Sequence, residues 1–332
     1  MKKAAGLTAL FIALALFSSC ANPFAISSKA DAKASSGGSG IGISVGDAVS
    51  DWERLIGGDP AVDTMLMPEA SGKKVYKNEK GVMDYSNARD GYVMLKYTAK
   101  SDSRLKVIIE GPSGVRYTYN ISPGADYATF PLSDGSGKYI VGIYKQKGST
   151  TKYALQLSKT ISVKLDDEFA PFLRPNQYVN YTENSETVKL AASLTKDCKT
   201  DIDKISAVYN YVISHLTYDY AKASTVQSGY LSDVDAILKS GKGICYDYAA
   251  VMTAMLRSQG IPTKLVVGYT GQLYHAWINV YTDSDGWVDG VIYFDGQNWK
   301  LMDPTFASSN NSSDSIMQYI GDSGNYTAKY LY

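Results

Sequence analysis

Apolar side chains recur at every second position from about residue 82 to residue 165, and beyond Pro171 and Pro175 the spacing lengthens to three and four. A two-residue period sends alternate side chains to opposite faces of a strand, whereas three-and-four spacing gathers them on one face of a helix. The chain is therefore read as an all-β part followed by a part containing helices. The alternating runs are Val93/Leu95/Tyr97, Leu105/Val107/Ile109, Val115/Tyr117/Tyr119/Ile121, Ala128/Phe130, Tyr139/Val141/Ile143, Tyr153/Leu155/Leu157 and Ile161/Val163/Leu165. Turn chemistry separates most of them, as at Gly111-Pro112-Ser113-Gly114, Ser122-Pro123-Gly124, Asp134-Gly135-Ser136-Gly137 and Lys147-Gly148-Ser149. Seven short strands so spaced predict a β-sandwich over 82–168. Its many tyrosines suit core and rim packing, or a face that binds carbohydrate or peptide.

In the second part, 169–332, the spacing predicts helices over Thr187–Lys196, Ile202–Leu216 and Asp233–Lys239, with Asp201 and Ser232 as N-caps of the last two. A further amphipathic helix runs from Ala249 to Gln259 and is stopped by Gly260. Two domains also suit the 332-residue length, and 45% hydrophobic with 20% charged residues is an ordinary globular composition. Lys plus Arg and Asp plus Glu both number 33, leaving no global field to attract nucleic acid, which is excluded as a partner.

Lys2 and Lys3 precede an apolar run from Leu7 to Phe17, too short for a stable transmembrane helix and suited to a signal peptide over 1–20. The expectation is an extracytoplasmic protein. Leu16-Phe17-Ser18-Ser19-Cys20 resembles a bacterial lipobox, which would make Cys20 the acylated residue of a membrane anchor; ordinary cleavage near Ala21 or Ala32 is the alternative. Residues 21–40 read as a flexible linker, mostly Ser, Gly, Ala and Lys from Ala30 to Gly40. The segment 41–81 is unassigned apart from a short helix over Val45–Ile56 that Gly57-Gly58-Asp59-Pro60 would break.

The chemistry concentrates around Cys245, in Gly241-Lys242-Gly243-Ile244-Cys245-Tyr246-Asp247-Tyr248. A thiol at or near a helix N-terminus meets unpaired N–H groups and the positive end of the macrodipole, which favour the nucleophilic thiolate; a buried structural cysteine is the competing reading. The chain has only two histidines, and His275 opens the strand-like His275-Ala276-Trp277-Ile278-Asn279-Val280, where it can act as base and acid. His215 sits at the end of a predicted helix and reads as a capping or partly buried residue. Asp303, in Trp299-Lys300-Leu301-Met302-Asp303-Pro304-Thr305, ends a strand and would orient the imidazole; Asp289 and Asp295 are rivals in glycine-containing turns. Cys198 lacks any comparable setting and reads as an inert thiol, although a disulfide with Cys245 is the alternative.

Five ordered motifs, Gly243-x-Cys245, Arg257-Ser258-Gln259-Gly260-Ile261-Pro262, Val267-Gly268-Tyr269, His275-Ala276-Trp277 and Trp299-x-x-x-Asp303-Pro304-Thr305, resemble those of the transglutaminase-like superfamily. The resemblance covers about residues 183–306 and implies an α+β, papain-like domain in which a helix bearing the nucleophile packs on an antiparallel sheet. It assigns Cys245 as nucleophile, His275 as base and acid, and Asp303 as orienting carboxylate. By the same resemblance Tyr218, in Leu216-Thr217-Tyr218-Asp219-Tyr220, is the candidate oxyanion donor and Trp277 a wall of the substrate groove, although either ring is equally a packing residue. No acidic loop has calcium-ligand spacing, so neither metal nor cofactor is expected. The implied activity is acyl transfer from an amide of a protein or peptide through a Cys245 thioester, with cross-linking and hydrolysis both open. A non-catalytic surface module binding protein or glycan, and a wall adhesin led by the sandwich, are the rival classes.

Overall fold

The structure, a computed structural model, describes residues 65–332 apart from 125, 291, 295–298 and 302–324, with backbone alone for 292–294 and 299–301. The expected signal peptide, Cys20, the linker and the short helix over Val45–Ile56 lie outside these residues.

Two four-stranded antiparallel sheets account for the alternating part. One has the order β1 (Val75–Lys77), β2 (Gly81–Asp84), β3 (Tyr92–Tyr97), β6 (Ala128–Pro131); the other runs β5 (Arg116–Ile121), β4 (Leu105–Glu110), β7 (Gly137–Gln146), β8 (Tyr153–Val163). Along β4 the residues Leu105, Val107 and Ile109 are buried while Lys106, Ile108 and Glu110 are less so, the signature of a strand with one face on a core. That face meets Met83, Leu95 and Phe130 of the opposite sheet within one apolar cluster. Tyr119 of β5 and Phe130 of β6 cross the gap edge to face at 5.1 Å.

The sandwich differs from expectation at two places. It starts earlier than residue 82, because β1 lies inside the segment left unassigned; all three of its residues are exposed, so no alternation marks it. The runs 153–157 and 161–165 are a single strand, β8. Opposite Ile143 and Tyr144 the register slips so that Gln156 is an extra residue, which turns Leu157 into the core and leaves Leu155 56% exposed.

Among the described residues five α-helices follow: α1 (Glu186–Thr195), α2 (Asp201–His215), α3 (Tyr220–Thr225), α4 (Val234–Ser240) and α5 (Cys245–Ser258). The caps correct two expectations. Thr200, not Asp201, starts α2, its hydroxyl and the Asp203 carboxylate each taking the other's backbone N–H at 3.1 Å. Asp233, not Ser232, caps α4 by accepting from the Ala236 amide at 3.1 Å. The short α3 was not expected; it is capped by Asp219 and buries only Ala223.

Every residue of α5 is buried, the polar Asp247, Thr253, Arg257 and Ser258 included, and it packs between α1, α2 and α4 on one side and a four-stranded antiparallel sheet on the other. That sheet has the order β13 (Gly286–Val288), β12 (Leu273–Thr282), β11 (Thr263–Thr270), β16 (Tyr326–Leu331). Two small pairs complete the domain: β9 (Thr217–Tyr218) runs parallel to β10 (Lys242–Gly243), and β14 (Ile292–Phe294) antiparallel to β15 (Trp299–Leu301). The α+β class and the helix-on-sheet arrangement are as the sequence implied.

Arg257, wholly buried at the end of α5, ties three segments by donating to the carbonyls of Thr263 at 2.9 Å, Arg174 at 2.7 Å and Tyr332 at 2.6 Å. Tyr332 in turn lies in an aromatic cluster that joins the domains, stacked on Tyr178 at 4.0 Å and edge-on to Tyr117 and Tyr119.

This buried tyrosine population makes the fold sensitive to alkali. Burial lifts the phenols of Tyr117 and Tyr211 to about 12, and raises Tyr119, Tyr181, Tyr246 and Tyr332 as well. In the unfolded chain they ionise near 10, so between about 10 and 12 the unfolded state binds fewer protons than the folded one. The stability they contribute is therefore complete below 10 and lost above it. Phenolate absorbance and loss of far-ultraviolet dichroism are expected to rise together in that window; smooth tyrosine ionisation with intact dichroism would contradict it.

Candidate active site

Cys245 is the first residue of α5, so the helix begins at the thiol itself rather than at Ala249 as its apolar spacing suggested. Cys245 is only 5% exposed, and in the turn that it opens the Asp247 and Tyr248 amides donate to the Ile244 carbonyl at 2.8 and 3.1 Å. Backbone pairing fixes what lies beside it. Gly243 of β10 stands opposite Tyr218 of β9, and the Asp219 N–H donates to the Gly243 carbonyl at 2.9 Å. Tyr218, the expected oxyanion donor, is thus held beside the residues leading into the thiol; its ring is half-buried and meets Tyr220 edge-on at 4.9 Å.

His275 lies on β12, the strand against which α5 packs, and is 6% exposed. Its neighbour in sequence, Tyr274, has a phenol raised chiefly by burial, with Tyr330, Tyr178, Tyr269 and Cys245 adding to the effect. The His275 ring is flanked by Trp277, nearly parallel at 6.3 Å, and by Tyr326 of β16 at 6.5 Å; Trp277 and Tyr326 meet edge-on at 5.3 Å. Opposite His275 on β11 stands Gly268, where a Cβ would come within 2.8 Å of the Trp277 ring and 2.1 Å of the Thr327 carbonyl. Glycine in the Val267-Gly268-Tyr269 motif is thus a requirement of close approach, at the bulge where β16 shifts register.

Of the carboxylates considered, Asp303 and Asp295 lie outside the described residues. Asp289 accepts from the Asn279 side-chain amide at 2.6 Å, four residues along β12 from His275. His215 donates from Nε2 to the Leu238 carbonyl (2.8 Å) and stacks on Tyr211, a structural position at the end of α2. Neither Cys198 nor Cys245 is joined in a disulfide. Burial pushes the Cys198 thiol up, with Asp203 and Asp197 adding to the effect and Lys204 opposing it. Iodoacetamide near neutral pH is expected to modify Cys245 at least several-fold faster than Cys198, as peptide mass spectrometry would read. Equal, slow modification of both would remove the case for a catalytic thiol. Among the described residues no group of three or more His, Cys, Asp and Glu side chains is placed to hold a metal.

The sequence reading missed a cluster around a buried carboxylate at the start of α5. Asp247, in the first turn of α5, accepts from the Ile244 amide at 2.9 Å, from Lys222 Nζ at 2.7 Å and from the Tyr230 hydroxyl at 2.7 Å. A signal was present, since an acid at the third position of a helix is half of a capping box; Ile244, which has no side-chain acceptor, hid it.

The model of the transglutaminase-like superfamily matches residues 188–289, the stretch that carries Cys245, the β9–β10 pair and His275. Residues 188–289 are a transglutaminase-like core domain. Among curated proteins, the uncharacterized protein YebA of Bacillus subtilis is 29% identical over 48% of this chain and 24% of its own length. The human kyphoscoliosis peptidase is 24% identical over 49% of this chain and 25% of its own. The chain thus spans about a quarter of the length of these two relatives. A candidate cysteine protease from Cytophaga hutchinsonii, known as a crystal structure, is 15% identical with a TM-score of 0.37, over 71% of this chain and 73% of its own. Four of the five motifs lie within the matched residues 188–289, and the fifth begins beyond them. Gly243 and Cys245 join β10 to α5, Arg257 closes α5, Gly268 and His275 face each other across β11 and β12, and the Trp299 motif begins in β15.

Proposed function

We propose that the chain is a cysteine-dependent acyltransferase or hydrolase acting on amide groups of surface proteins or peptides. The observation that carries this reading is the thiol at the opening of a buried helix packed on the strand that bears His275. The Cys245 thiolate attacks the amide carbonyl carbon. The resulting oxyanion is met by the Cys245 N–H and the Tyr218 phenol. The C–N bond then breaks, the amine leaves with a proton from His275, and the acyl group remains as a thioester on Cys245. Asp303 is the proposed partner that orients His275, and Trp277 with Tyr326 borders the imidazole. An incoming amine regenerates the thiolate with formation of a new amide; water regenerates it with formation of a carboxylate. The relative named a peptidase supports keeping water as an acceptor beside lysine.

The test is incubation with a glutamine-containing peptide and a labelled primary amine. Incorporation that depends on Cys245 establishes transfer, and ammonia release or chain cleavage without incorporation establishes hydrolysis. If neither occurs, the surface-binding module replaces the enzyme. Cys20 is further proposed to carry a lipid anchor. Labelled palmitate should enter the wild type and not Cys20→Ser; absence of label from both would sink the anchor. No helix among the described residues is long and apolar enough to cross a membrane.

A further inference from the structure

Ile244 occupies the N-cap of the nucleophile helix and has no side-chain oxygen with which to close the helix start. Its buried amide is taken instead by Asp247 Oδ2 at 2.9 Å, while its carbonyl accepts from the Asp247 and Tyr248 amides at 2.8 and 3.1 Å. Asp247 itself is wholly buried. A carboxylate so placed needs donors and a counter-charge, and both arrive from outside the helix. Lys222 of α3 donates to Oδ2 at 2.7 Å, Tyr230 from the loop between α3 and α4 donates to Oδ1 at 2.7 Å, and Lys222 also donates to the Tyr230 oxygen at 2.6 Å. Burial pulls the Lys222 ammonium down, but the contacts with Asp247 and Tyr230 outweigh it and hold it above its ordinary value.

The cluster is tied to the other side of the thiol as well. Asp219 caps α3 by accepting from the Lys222 amide at 2.8 Å, and its own amide donates to the Gly243 carbonyl at 2.9 Å. Gly243, Asp219, Lys222, Asp247 and Ile244 thus form a closed circuit of hydrogen bonds and chain around the peptide that leads into Cys245. A helix start needs one cap. A wholly buried carboxylate held by two half-buried donors exceeds that need.

We propose that Asp247, braced by Lys222 and Tyr230, is a positioning residue for Cys245. It locks the Ile244 peptide so that the thiol and the first-turn N–H groups keep the geometry that stabilises the thiolate. The proposal rests on the reading of Cys245 as nucleophile, and its sign separates it from simple electrostatics. Removing a negative charge near a thiol favours the thiolate, whereas releasing the turn that cradles it disfavours the thiolate.

The experiment measures the rate of iodoacetamide modification of Cys245 in the full chain across pH, together with thermal unfolding, for wild type, Asp247→Ala, Asp247→Asn and Tyr230→Phe. Folded Asp247→Ala is expected to react on the order of tenfold more slowly, and its pH profile to move upward. Asparagine keeps an oxygen for the Ile244 N–H and is expected to restore the rate to within about threefold of wild type, with Tyr230→Phe falling about threefold because one brace is lost. An unchanged rate in folded Asp247→Ala would reduce the cluster to scaffolding, and a faster one would leave the carboxylate acting through charge alone; either overturns the proposal. Should Asp247→Ala fail to fold, an unchanged rate in Tyr230→Phe overturns it. If wild-type Cys245 reacts no faster than Cys198, the nucleophile reading fails instead.

Discussion

His275→Gln is expected to lower amide turnover by roughly a thousandfold with substrate binding little changed, and Cys245→Ala to abolish it. Glutamine preserves the length and some of the polarity of the imidazole but cannot carry a proton between the thiol and the leaving amine. The strand should tolerate the change, because His275 sits opposite Gly268 and the Trp277 and Tyr326 rings beside it pack on each other without it. Steady-state rates with a glutamine peptide, with dichroism of both variants as the folding control, give the comparison. A variant with wild-type folding and wild-type kcat would take His275 out of the chemistry.

Arg257→Met is expected to cost about 3 to 5 kcal/mol of stability, which for a domain of this size lowers Tm by about 10 °C or more. Methionine approximates the apolar stem of arginine but leaves the carbonyls of Thr263, Arg174 and Tyr332 buried without their donor. The guanidinium serves there because its fork reaches three acceptors on different segments at once, although burial pulls its pKa down to about 10. Arg257→Lys keeps a cation and still loses most of this geometry, so its Tm is expected to lie between the two. Differential scanning calorimetry settles the order; a Met variant as stable as wild type would show that the three contacts contribute nothing net.

Wherever one face of an element is wet and the other dry, its pattern was legible. β4 alternates buried and half-buried residues without error, and α2 shows Ile205, Val208, Tyr209 and Val212 at the spacing of one face. Elements that lack such contrast were lost. β1 has three exposed residues, α3 buries one, and α5 is buried on every side, so its first turn carries no period and its start was placed four residues late. The bulge at Gln156 was invisible because Leu155 and Leu157 share parity while facing opposite ways, and only the register with β7 reveals it.

The site followed the same logic. Cys245 and His275 stood out as rare residues in distinctive contexts, and Tyr218 by its place in a motif. The structure puts Cys245 at the start of α5, Tyr218 opposite Gly243 just before it, and His275 on β12, a strand on which α5 packs. The Asp247, Lys222 and Tyr230 cluster could not be read from the chain, because three common residue types, 25 positions apart at the widest pair, become a unit only through burial. Arg257 was visible as part of a motif and not as a tie, since its partners lie 6, 83 and 75 residues away.

The central claim is that Cys245 becomes acylated. Acid quenching during turnover of a glutamine peptide, followed by intact-mass and peptide-map spectrometry, tests it directly. The expected result is a hydroxylamine-labile adduct, equal in mass to the peptide minus ammonia, on Cys245 of the wild type and accumulating where deacylation is slow. Turnover that proceeds with the Cys245 thiol unmodified, or undiminished in Cys245→Ala, would contradict it.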